Sequence, residues 1–140
     1  MADYLETDLA YIAGLVDGEG HICILSANNE TSFTTQLGIS NTDREILDWI
    51  QGIFDGYIYD KQKIKGRKQG YQIRWNKQVR IKEILTLLLP YLRIKKIQAL
   101  MVLEFIDICK GNRINKLSSE EIDTLEELHY GVSLSNRRGE

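Results

Sequence analysis

Apolar positions along the chain change period several times, and the changes predict the elements. From Leu9 to Val16 the run Leu-Ala-Tyr-Ile-Ala-Gly-Leu-Val is apolar on every side. It predicts a helix buried all round, with Thr7 or Asp8 as its N-cap. Two extended runs follow over 21–29 and 32–40, separated by the turn-like Asn28-Asn29-Glu30-Thr31. In the second run Phe33, Leu37 and Ile39 alternate with Ser32, Thr34 and Gln36. In the first, Ile22/Ile24 and Cys23/Leu25 are both apolar pairs, so its inward face stays open. Asn41 or Thr42 then caps a helix over 43–54, where Ile46, Leu47, Ile50, Ile53 and Phe54 recur at helical spacing.

The pattern then repeats. Tyr57-Ile58-Tyr59 leads into a basic arm whose loop is bracketed by Gly66 and Gly70, and Tyr71, Ile73 and Trp75 alternate with Gln72, Arg74 and Asn76. Ile81, Ile84, Leu85, Leu88 and Leu89 mark an amphipathic helix that stops near Pro90, and Ile97, Leu100, Met101, Phe105 and Ile108 mark another. Ser118-Ser-Glu-Glu121 is a capping box that opens a short last helix through Ile122, Leu125 and Leu128. Helix, two strands, helix, two strands and further helices imply an α+β domain, with an antiparallel sheet carrying its helices on one face. Residues 1–110 form the domain and 111–140 a C-terminal helical extension of it.

Composition narrows the class. Apolar residues make up 43% of 140, enough for a core. No window approaches the ~18 uncharged apolar residues of a membrane span, and the acidic N-terminus lacks a basic-then-apolar leader pattern. Cys23 and Cys109 sit in apolar segments and read as buried thiols of a reducing compartment, so a soluble intracellular protein is expected. The net charge of −2 hides an asymmetry: residues 1–60 hold eleven acids and one base, whereas 61–96 hold twelve bases and one acid. One basic surface for a polyanion is the natural reading.

The sharpest feature is Ile12-Ala-Gly-Leu-Val-Asp17-Gly-Glu19-Gly20. Two acids stand just after a helix whose C-terminus carries partial negative charge, which costs ~0.3–1 kcal/mol unless a basic side chain or a metal offsets it. Carboxylate oxygens are hard ligands suited to Mg²⁺. Ala10, Gly14 and Gly18 recur every four residues and form a smooth stripe that lets a second helix approach closely.

This nonapeptide resembles the motif that names the LAGLIDADG homing endonucleases, and the element order through residue 109 is similar too. The resemblance implies an αββαββα fold with a curved sheet, and one motif in a short chain implies a homodimer. Its interface would use Ala10, Ala13, Gly14, Val16 and Asp17. Glu19 matches the catalytic acid and would ligate Mg²⁺, or Mn²⁺, with its symmetry mate and a backbone carbonyl near Gly18. Asp17 matches the more structural acid of the motif. Asn41 falls where relatives orient the attacking water, and Lys95, with Lys96 as its neighbouring competitor, where they stabilise the phosphate. His21 reads as a structural strand histidine. Gly18 and Gly20 would turn the chain from helix into strand. The implied activity is a double-strand break in a long pseudo-palindromic DNA site by metal-dependent hydrolysis, serving intron or intein mobility. A non-catalytic DNA-binding module or an RNA-binding intron maturase on the same fold is the alternative; such decayed versions are expected to lose Glu19 or Lys95, and both are present.

The polar face of the sheet fits a major groove, where base edges are distinguishable. Its candidates are Ser32, Thr34 and Gln36 on one strand pair and Tyr59, Lys61, Lys63, Gln72 and Arg74 on the other. Arg74 and Lys61 suit guanine, Gln36 and Gln72 adenine, while Lys65, Arg67 and Lys68 hold phosphates, which fixes position without reading sequence. DNA binding should weaken steeply with salt, log K falling by ~0.9 per neutralised phosphate against log[salt]. A flat salt titration would reject the basic arm as a phosphate-contacting surface.

Overall fold

A computed structural model describes residues 3–27, 32–111 and 116–138. The elements run α1 (Glu6–Glu19), β1 (Gly20–Ala27), β2 (Ser32–Asn41), α2 (Arg44–Phe54), β3 (Tyr57–Asp60), β4 (Tyr71–Trp75), α3 (Gln78–Leu88), α4 (Lys96–Cys109) and α5 (Ser119–Arg138), with a 3-10 turn (Leu89–Tyr91) carrying Pro90 after α3. The order matches the α+β expectation. The expected turn over 28–31 lies outside the described residues.

The four strands form one antiparallel sheet in the order β1-β2-β4-β3. Register resolves the face that periodicity left open in β1. Ile22 pairs with Leu37 and Ile24 with Thr35, and all four are buried on the helical side. His21, Cys23 and Leu25 therefore share the outer face. Cys23 is half-buried there rather than in the core, while Cys109 is buried as expected. Ile39, Ile73 and Trp75 complete the inner face and pack with Ile12 and Val16 of α1, Leu47, Ile50 and Phe54 of α2, Ile81, Leu85 and Leu88 of α3, and Val102 and Phe105 of α4.

Helix ends depart from expectation in instructive ways. Helix α1 begins three residues early, with Leu5 at the N-cap; Asp8 lies inside the first turn and its Oδ2 accepts from Leu5 N at 2.8 Å. The cap of α2 is Asp43, whose carboxylate accepts from Ile46 N at 3.3 Å, while Asn41 supports it by accepting from Asp43 N at 2.9 Å. The capping box of α5 forms as read: Ser118 N donates to Glu121 Oε1 at 3.0 Å and Glu121 N to Ser118 Oγ at 3.1 Å.

Helix α5 is longer than expected, at 20 residues. It packs on α4 and along β1 and adds Leu125 and Val132 to the core. Asn136 Nδ2 donates to Ile22 O at 3.0 Å, so the helix also satisfies a carbonyl on the outer edge of the sheet. Between α2 and β3, Asp55 (φ 58°) and Gly56 (φ 103°) make a tight left-handed turn under Trp75, whose Nε1 donates to Phe54 O. No helix among the described residues is long and apolar enough to cross a membrane.

Candidate active site and nucleic-acid interface

Helix α1 delivers the motif to the end of the sheet. Asp17, Gly18 and Glu19 lie within its last turn rather than beyond it. Gly20 makes the turn into β1 alone: a Cβ there would stand 2.7 Å from Val16 Cα and Val16 O. Gly18, by contrast, is helical with open space beside it.

Two charged side chains tie this helix end to the start of α4. Asp17 Oδ2 accepts from Arg93 N at 2.9 Å, and Asp17 Oδ1 accepts from Lys95 N at 3.0 Å and Ile94 N at 3.2 Å. In return Lys95 Nζ donates to Gly20 O at 2.6 Å, Val16 O at 3.1 Å and Asp17 O at 3.2 Å. An ammonium has three protons, and three carbonyls receive them. The positive charge expected beside the helix C-terminus is thus Lys95. Burial pushes its ammonium below the usual lysine range, and the Asp17 and Glu19 carboxylates oppose that shift. Lys96 begins α4 and is exposed.

Glu19 is exposed and, among the described residues, forms no ion pair. It lines a cleft of about 270 Å³ with Ser40, Asn41, Thr42, Lys61 and Gly70, at the end of β2 where the basic arm leaves the sheet. Among the described residues no three His, Cys, Asp or Glu side chains of one chain converge as a metal site.

Apart from Cys23 and Leu25 of β1, the outer face of the sheet carries polar groups. Register places Gly38 between His21 and Arg74, Ser40 beside Gln72, and Gln72 beside Tyr59. Two hydrogen-bonded chains cross it. In one, the His21 Nε2 atom lies 3.0 Å from Gln36 Oε1 and Gln36 Nε2 donates to Asn76 Oδ1 at 3.1 Å. The His21 ring lies over Gly38, where a Cβ would overlap it. Burial holds the imidazole below its ordinary pKa, the Gln36 bond opposes, and Arg74, Lys95 and Lys61 add to the lowering. In the other chain, Lys61 Nζ donates to Ser40 Oγ at 3.5 Å, Gln72 Nε2 to Ser40 Oγ at 3.1 Å, and Arg74 Nε and a terminal nitrogen to Gln72 Oε1 at 3.2 and 2.6 Å. The arm from Lys61 to Lys68, with Lys63, Lys65 and Arg67, is exposed throughout. Ser32 is half-buried at the far end of β2 and Thr34 is exposed.

Residues 12–111 match the family model described as LAGLIDADG endonuclease. The chain belongs to that family. No curated protein matches it in sequence. Among solved structures it is similar to the homing endonuclease I-CvuI in complex with its target in the presence of Ca, with a TM-score of 0.68, 23% identity, and 93% of this chain on 82% of that one. The archaeal intron-encoded homing endonuclease I-Vdi141I, complexed with DNA, gives a TM-score of 0.73 at 20% identity, with 93% of this chain on 84% of that one. The I-SmaMI LAGLIDADG homing endonuclease, bound to cleaved DNA, gives 0.70 at 15% identity, but the 94% of this chain that aligns spans only 45% of that one.

In this LAGLIDADG endonuclease, α1 is not buried all round. Ala10, Tyr11, Gly14 and Gly18 are exposed along one side, while Ala13 and Val16 are fully buried in the chain's own core. The expectation that Ala13 and Val16 lie at a subunit interface is therefore corrected: both are enclosed by the chain's own core, Val16 opposite the small-residue stripe and Ala13 flanking it at 100° per residue. Tyr11 borders the stripe and meets the Trp49 ring edge-on at 5.8 Å. Three members of the polar face were not among the candidate site residues. Asn76 stands in the alternation with Gln72 and Arg74, and Ser40 lies two steps beyond Gln36 across Gly38, so their signal was present; the place of His21 was hidden because both faces of β1 are apolar.

The Asp17 carboxylate accepts from the three backbone N–H groups of Arg93, Ile94 and Lys95. Asp17→Ala should lower the unfolding free energy by roughly 1.5–3 kcal/mol, read from urea denaturation. An unchanged midpoint would remove Asp17 from the structural core of the site.

Proposed function

We propose that this DNA endonuclease works as a homodimer that makes a double-strand break in a long pseudo-palindromic site, using Mg²⁺ or Mn²⁺. The observation that carries the reading is Glu19: an exposed carboxylate, without an ion-pair partner among the described residues, at the end of an exposed small-residue stripe and lining a cleft with Ser40 and Lys61 of the polar sheet face. Two copies joined along Ala10, Gly14 and Gly18 bring two such carboxylates together. The lengths agree, since the chain spans most of I-CvuI and I-Vdi141I but under half of I-SmaMI. The DNA-bound states named for those relatives make duplex DNA the partner proposed here.

The donor set fits a hard divalent cation: Glu19 from each copy, with the Gly18 carbonyl beside it, and room for phosphate and water oxygens. Such an ion supplies Lewis-acid neutralisation of the charge that builds on the phosphate. The chain's own residues do the rest. Lys95, pinned by three carbonyls, keeps the Asp17–Gly20 backbone in shape and sets its positive charge beside the scissile phosphate. Asp17 positions Lys95 through the backbone of 93–95. Asn41, on the cleft wall, orients the attacking water. The basic arm, with Lys63, Lys65, Arg67 and Lys68, grips phosphates, while Ser32, Thr34, Gln36, Tyr59, Lys61, Gln72 and Arg74 form the face laid into the major groove. Residues 111–140 belong to the same domain as a brace. Homing within an intron or intein is the biological role that this activity suits.

Glu19→Gln should lower cleavage at least about 100-fold while DNA binding persists; wild-type cleavage by this variant would reject Glu19 as the catalytic acid. Gly14→Leu puts a large side chain on the stripe and should shift sedimentation from dimer to monomer, so a dimer of undiminished stability would argue against helix-on-helix association.

A further inference from the structure

We infer that Gln72 is a positioning residue that aims the guanidinium of Arg74 at a guanine and reads no base itself. This rests on the reading of the chain as a DNA endonuclease and goes further by naming one base and the residue that governs it.

The donor and acceptor inventory forces the orientation. Arginine and lysine only donate. Arg74 Nε and its terminal nitrogen reach Gln72 at 3.2 and 2.6 Å, so the Gln72 oxygen must face Arg74. The amide nitrogen is then turned to Ser40 Oγ at 3.1 Å, which also accepts from Lys61. Reading adenine takes the oxygen and the nitrogen of a glutamine amide together. Both are engaged here, and the expectation that Gln72 suits adenine gives way to this role.

Arg74 emerges from the same bonds with its side-on edge occupied and its end-on pair of nitrogens still carrying protons. Its guanidinium lies over the Tyr59 ring at 4.6 Å, and Gly38 opposite it in register is covered by the His21 ring. A donor fork, held along one edge by Gln72 and over one face by Tyr59, matches the O6 and N7 acceptors of guanine in the major groove. A side chain held this way loses little rotamer freedom on binding. Gln36 on β2 differs, because it is tied to His21 and Asn76, with no arginine beside it in the chain of bonds.

The test is selection of bound sequences from a randomised duplex library by the full chain in calcium, so that cleavage does not enter. The wild type should enrich one guanine per half-site, by roughly 5- to 150-fold over other bases, and Arg74→Ala should abolish that preference alone. Gln72→Ala should weaken the same guanine preference without altering any other position. Gln72→Glu, which keeps an acceptor for Arg74, should restore it. If Gln72→Ala instead removes an adenine preference and leaves the guanine intact, Gln72 is a reader and the inference is overturned. A wild type that enriches no sequence at all would overturn the endonuclease reading along with it, which separates the two failures.

Discussion

The site depends on a mutual exchange of backbone groups between two helix ends. The last carbonyls of α1 and the amides leading into α4 have no partners within their own helices. Asp17 from the first takes the amides of the second, and Lys95 from the second takes the carbonyls of the first. Each charge sits where the partial charge of the opposite helix end favours it. The contacts join residues 75 to 79 positions apart, so they close the fold as well as the site. Bonds with a charged partner are the stronger kind, and this arrangement uses six of them to immobilise a few atoms of backbone.

What that immobility provides is a fixed edge for the sheet. Gly20, held by Lys95, starts β1, and its register with Ile39 sets which side chains of β1 and β2 face outward. The outer face is then organised by hydrogen bonds among its own polar groups rather than left as separate, mobile side chains. The acid at the helix end and the polar face are parts of one rigid arrangement, joined across the cleft between Glu19 and Lys61.

Much of this was legible in the sequence wherever one side of an element is polar. Strands β2 and β4 showed their faces through alternation, as did α2 through spacing, and the Ser118–Glu121 box marked the start of α5. Strand β1, apolar on both sides, took its orientation from pairing with β2, a tertiary fact. Helix α1 looked the same on every side, yet a single chain covers only the side of Ile12, Ala13 and Val16. The resemblance placed Asp17 and Lys95 near the chemistry, but their bonds to each other's backbone are invisible to any local pattern. The reach of α5 past Leu128 was hidden for a related reason: its apolar positions thin out, and it is held by Val132 in the core and Asn136 on a strand carbonyl.

That last bond bears on how the protein avoids self-association through its strands. β1 is an outer strand with apolar side chains on both faces, the kind of edge that recruits further strands into aggregates. Helix α5 lies along it and occupies one of its outward carbonyls. The C-terminal helix thereby acts as a guard against aggregation. Proteolytic loss of its last turns would uncover this strand while leaving the cleft lined by Glu19, so resistance to strand-to-strand association rests on a segment that does not line that cleft.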